Sequence, residues 1–87
     1  MYVEIYTKNQ CSYCFRAKKL LENMKIQYAE NKLGVDFTSE MLKQKYPTAT
    51  TYPVIVVDSF FIGGYNELNT LLEEQSYDNR KLLNEGN

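Results

Sequence analysis

Val3-Glu4-Ile5-Tyr6-Thr7-Lys8-Asn9-Gln10-Cys11-Ser12-Tyr13-Cys14-Phe15-Arg16-Ala17-Lys18-Lys19-Leu20-Leu21 carries two periodicities that meet at a pair of cysteines. Tyr2 to Tyr6 is rich in β-branched and aromatic residues and predicts a strand. Thr7 to Gln10 is polar loop. From Ser12 to Lys25 the apolar residues Ala17, Leu20, Leu21 and Met24 recur at helical spacing, which predicts a helix. Cys11 then falls at or just before the first helical turn. Cys14 lies three residues before Ala17 and seven before Leu21, on the helix face that should be buried.

Working outward, Ile26 to Ala29 predicts a short second strand. Asp36 or Thr38 can cap a second helix with Met41, Leu42 and Tyr46 inward, stopped by Pro47. Val54-Ile55-Val56-Val57 is a continuous apolar run, as in a strand covered on both faces. Asp58-Ser59 then turns the chain into Phe60-Phe61-Ile62, a hairpin with a weak turn signal. Gly63-Gly64 breaks that strand, and Asn66 is the expected cap of a third helix with Leu68, Leu71 and Leu72 inward. The order β-α-β-α-β-β-α predicts an α/β fold, a four-stranded mixed sheet flanked by helices. One domain is expected over 1–76, followed by a polar tail over 77–87 with one helical turn near Leu82 and Leu83.

Composition narrows the function. Ten basic and eleven acidic residues leave a formal charge of −1, which gives no electrostatic case for nucleic acid or an anionic membrane. No apolar run approaches a membrane span, and no charged-then-apolar leader pattern opens the sequence. With no histidine, Ser-His and Cys-His nucleophile pairs and the commonest metal ligand are excluded. The two cysteines are too close together to staple a fold, since so small a ring constrains little of the unfolded chain. A closed zinc site needs four ligands, and the chain has no other Cys or His. Two ordinary core cysteines are the bland alternative, though polar Gln10 and Ser12 flank the first of them; the expectation is redox chemistry in a reducing cytoplasm.

The spacing assigns roles to the thiols. The free N–H groups and dipole of the helix start favour a thiolate at Cys11, the exposed nucleophile. Cys14 becomes the sheltered resolving thiol. Lys8, three residues before Cys11, either steadies that thiolate and a substrate carboxylate or is a solvated loop lysine. Pro53 is either punctuation before a strand or the second half of a cis Tyr52–Pro53 bond that turns the Tyr52 backbone toward the thiols. Gly63-Gly64-Tyr65-Asn66 either offers backbone N–H groups to a carboxylate or is a tight turn into a helix. Arg16, Lys18 and Lys19 are assigned only to the solvated face of their helix.

Taken together, these segments resemble the glutaredoxin family. Val3 to Lys8, Cys11-Ser12-Tyr13-Cys14, Arg16-Ala17-Lys18 with Leu20-Leu21, Thr51-Tyr52-Pro53 and Ile62-Gly63-Gly64 recur at the family's distances, over about residues 2–75. The resemblance implies a thioredoxin-like fold and a groove for glutathione as reductant. Carried over by position, that groove comprises Lys8, Tyr13, Thr51, Tyr52, Pro53, Gly64, Tyr65 and Asn66. Ser12 stands where the family usually has proline, Tyr52 where valine is common, and Asn66 where aspartate is usual. The helix-two partner for the glycyl carboxylate is open between Lys43 and Lys45.

The expected function is reduction of protein disulfides and glutathione mixed disulfides by a monomeric enzyme. No obligatory metal, nucleic acid or membrane partner is expected; ribonucleotide reductase is the substrate the family suggests. Two rivals are a carrier reduced by a flavoprotein reductase, which Asn66 favours, and a glutathione-assisted iron–sulfur carrier, which Ser12 favours.

Overall fold

The computed structural model describes residues 1–74. Its elements are β1 (Val3–Thr7), α1 (Ser12–Asn23), β2 (Tyr28–Lys32), α2 (Ser39–Lys45), β3 (Val54–Val57) and β4 (Phe60–Gly63). A third helix, α3, runs from residue 65 to the end of the described residues at 74. The expected polar tail and its helical turn lie outside the described residues.

The strands form one sheet in the order β2-β1-β3-β4. β1 is parallel to β2 and antiparallel to β3, and β3 is antiparallel to β4. Alternation along β1 and β3 feeds two cores. Val3, Ile5, Ile55 and Val57 pack with Ala17 and Leu21 of α1 and Leu68 and Leu72 of α3. Tyr6, Val54 and Val56 pack on the other face with Phe37, Leu42 and Ala49. Burying a residue such as Leu21 stabilises the fold by roughly 1.5–3 kcal/mol, so the apolar stripe, not local propensity, holds α1 in place. Burial, with help from Tyr46 and Glu4, pushes the Tyr6 phenol up to about 12.

Local chemistry sets the boundaries. α1 ends in a left-handed residue, Lys25 (φ 59°), with the Lys25 N–H donating to the Glu22 carbonyl and the Ile26 N–H to that of Leu21. Thr38, not Asp36, caps α2: its hydroxyl accepts the Met41 N–H at 3.2 Å. The Asp58-Ser59 hairpin has both turn residues at positive φ, 50° and 72°, the combination that follows a strand's twist.

Three expectations are corrected. The second strand is Tyr28–Lys32 instead of Ile26 to Ala29, because it is a half-polar edge strand whose pattern apolar content does not reveal. Met41, expected inward, is 55% exposed, and Leu42 alone is buried from that seven-residue helix. Asn66 does not cap α3. The helix starts earlier: the Gly64 carbonyl accepts the Leu68 N–H at 3.1 Å, and Glu67 Oε1 accepts the Gly64 N–H at 2.7 Å. That is the side-chain half of a capping box, and Asn66 stands exposed inside its first turn.

Candidate active site

β1 delivers the chain to the site and α1 leads it away. Gln10, at φ 55°, turns the loop so that Cys11 is the N-cap of α1. The Cys14 N–H donates to Cys11 Sγ at 3.1 Å, so the sulfur occupies the place of a capping oxygen. No acidic residue stands in the first turn of α1 to compete for that position. Cys11 and Cys14 are joined as a disulfide with Cα atoms 5.2 Å apart. Cys11 is partly exposed, whereas Cys14 is 3% exposed. Only the first sulfur is open to an incoming partner.

The remaining candidates touch one another in pairs. Tyr52–Pro53 is a cis peptide bond, the second of the two possibilities left open by sequence. Lys8 Nζ lies 5.5 Å over the Tyr52 ring, which also leans on Phe37. The rings of Tyr13 and Tyr65 are 5.6 Å apart, with the Arg16 guanidinium 5.2 Å over Tyr13. The Thr51–Pro53 segment and the Gly63-Gly64 turn touch. A Cβ on Gly64 would lie 3.3 Å from the Pro53 carbonyl, 3.7 Å from Glu67 Oε1 and 4.0 Å from Thr51 Oγ1. At Gly63, with φ 129°, a Cβ would meet Glu67 Cγ at 2.5 Å. Gly63 is favoured by its positive φ, since the Glu67 side chain could move aside, and Gly64 by its tight approach to a backbone carbonyl.

Lys8, Tyr13, Thr51, Tyr52, Pro53, Gly64 and Tyr65 are thus brought together. Asn66 lines an open groove with Ile62, Glu67, Thr70, Leu71 and Glu74. Lys43 is exposed, and Lys45 rests over the Tyr46 ring at 5.7 Å. Sequence reasoning missed Glu67, whose carboxylate sits at the turn. The Gly64-x-x-Glu67 spacing of a capping box was the signal. Among the described residues no group of three or more His, Cys, Asp or Glu could hold a metal ion.

The family model described as Glutaredoxin matches residues 3–62, a span holding both cysteines and the cis-proline segment. The chain belongs to the glutaredoxin family. Glutaredoxin 3 of Escherichia coli is 41% identical over 73 residues, covering 79% of this chain and 83% of that protein. Glutaredoxin 1 of Rickettsia bellii is 36% identical over 83 residues, covering 91% and 83%. Among solved structures, reduced Escherichia coli glutaredoxin superposes with a TM-score of 0.68 at 35% identity, covering 85% of this chain and 95% of that one. Glutaredoxin 1 of Francisella tularensis, complexed with cacodylate, gives 0.70 at 26% identity, covering 87% and 96%. A thiol–disulfide oxidoreductase on a thioredoxin-like glutaredoxin fold follows from family and cysteine pair together.

Proposed function

We propose that this glutaredoxin-family protein uses glutathione to reduce protein disulfides and glutathione mixed disulfides. The observation that carries the reading is Cys11 Sγ at the N-cap of α1, accepting the Cys14 N–H, on a helix whose Tyr13 ring meets Tyr65 next to the Gly64–Pro53 contact. In the reduced enzyme Cys11 thiolate attacks one sulfur of a substrate disulfide, and the other sulfur leaves as a thiolate that takes a proton. Cys14, freed of its proton, attacks Cys11 Sγ, which releases the second substrate thiol and closes the Cys11–Cys14 bond. Two glutathione molecules then return two electrons and leave as glutathione disulfide. On a glutathione mixed disulfide Cys11 attacks the glutathione sulfur and the protein thiol departs; a second glutathione completes the cycle without Cys14.

Lys8, the Tyr13 ring and the Thr51–Pro53 backbone suit a small anionic peptide. Glu67 supplies, one residue on, a carboxylate that Asn66 lacks, and is the better candidate for the ligand's ammonium. A cytoplasmic monomer acting on disulfide-bearing proteins, ribonucleotide reductase among them, completes the proposal. The test is turnover of a glutathione mixed disulfide with glutathione or a flavoprotein reductase supplied separately. Turnover with glutathione is expected. Turnover with the reductase alone would transfer the protein to the thioredoxin-like alternative.

A further inference from the structure

The inner side of α1 is divided lengthwise. Ala17 and Leu21 meet the apolar core, whereas Lys18 and Glu22, one turn apart, face the edge strand β2. The Tyr28 hydroxyl donates to Glu22 Oε2 at 2.7 Å, and burial with that bond pushes the Tyr28 phenol up to about 12. Lys18 Nζ lies 3.2 Å from Glu30 Oε2. The same oxygen accepts the Thr7 hydroxyl at 2.8 Å. Parallel pairing sets Glu30 beside Ile5 and Lys32 beside Thr7, so Glu30 shares the sheet face that carries Ile5 and Thr7.

One carboxylate oxygen therefore ties three elements together. Thr7, 2% exposed, ends β1 four residues before Cys11, and Lys18 stands four residues after Cys14. A surface ion pair alone contributes little to stability. Among the described residues the buried Thr7 hydroxyl has only a long alternative acceptor, the Asn31 carbonyl at 3.5 Å, so its contact to Glu30 is the firmer half of the clamp. Partial burial alone would raise the Glu30 carboxyl, but the Thr7 hydroxyl, Lys18 and Lys32 together hold it below the usual carboxylate range. Glu30 is thus charged at neutral pH.

We infer that Glu30 is a positioning residue which, through Thr7 and Lys18, fixes both ends of the segment bearing Cys11 and Cys14 and so favours their disulfide. The inference rests on the Cys11/Cys14 dithiol of the proposed mechanism, though not on glutathione as its reductant. Forming the bond removes two electrons and two protons from the thiols and delivers them to an oxidant. Its equilibrium depends on the effective concentration of one thiol at the other. The clamp and the disulfide occur together in this oxidised structure. Linkage requires that each stabilise the other if the inference holds.

The test equilibrates the full chain against oxidised and reduced dithiothreitol and counts free thiols. Glu30→Ala should shift the equilibrium toward the dithiol about tenfold, equivalent to about 30 mV. Glu30→Gln keeps an acceptor for Thr7 and loses the ion pair, so a smaller shift is expected. Thr7→Ser keeps the hydroxyl and should match the parent. The gap in thermal midpoint between oxidised and reduced forms should narrow in Glu30→Ala. An unchanged equilibrium, with both forms losing stability equally, would show that Glu30 only braces the fold. If Glu30→Ala does not fold, Thr7→Val, which removes the hydroxyl's contact to Glu30, decides, and a parent-like equilibrium there overturns the inference. Failure of glutathione turnover would defeat the proposed reductant and leave this equilibrium intact.

Discussion

Two helices, α1 and α3, use their N-terminal polarity differently. At α1 a sulfur takes the free N–H: Cys14 donates to Cys11 Sγ at 3.1 Å, and no acidic residue enters the first turn. At α3 a carboxylate takes it: Gly64 donates to Glu67 Oε1 at 2.7 Å. Both ends offer the same partial positive charge. In the proposed mechanism that charge at α1 is kept for a thiolate, the nucleophile. At α3 it is already balanced by an intrinsic anion, whose second role can be to face a cation. The difference lies in which side chain reaches the cap, not in the helix.

The largest effect comes from removing the capping sulfur. Cys11→Ser should abolish all exchange activity. Cys14→Ser should retain turnover of glutathione mixed disulfides and lose most reduction of protein disulfides, because a second glutathione replaces the resolving thiol only in the first reaction. Rates of both reactions, measured for both variants, check this; total loss of both reactions in each variant would refute the division of labour.

Making α1 resemble α3 is the next test. Ser12→Asp places a carboxylate in the first turn, beside the thiolate. Like-charge repulsion should raise the Cys11 midpoint by roughly half to one pH unit. Thiolate absorbance against pH reads the shift directly, and the helix should remain intact because Asp suits its N-terminus.

The smallest effects are expected at α3. Glu67→Gln keeps an acceptor for the Gly64 N–H while removing the charge, so glutathione affinity should fall several-fold with little change in stability. Asn66→Asp adds a carboxylate one residue earlier and should tighten binding several-fold, less at high salt. Titrations of both variants at low and high salt rank the two positions. Parent-like affinity for Glu67→Gln would leave it as a cap alone.

What the sequence disclosed follows the same division. β1, α1 and β3 were legible because their apolar spacing is local, and Cys11 was placed correctly because a strand-to-helix handover fixes it. The Ile5, Ala17 and Leu21 stripe is visible within one element at a time. β2 was misplaced because Glu30 faces inward, and only Thr7, 23 residues away, and Lys18 make that burial acceptable. The start of α3 was misplaced because Asn66 is the better cap by residue type. Its true cap depends on Gly64 fitting against Pro53, a contact that no spacing rule contains. The residues of the candidate site could be named from the sequence, while the pairings of Lys8 with Tyr52 and Tyr13 with Tyr65 needed the fold.

The central claim is that the start of α1 is reserved for a negative sulfur. Its most direct test is the ionisation of Cys11 in the reduced protein, followed by thiolate absorbance in the Cys14→Ser variant so that only one thiol titrates. The helix N-cap position predicts a midpoint below that of a free thiol, under ~7.5. A midpoint at or above ~8.5 would contradict it.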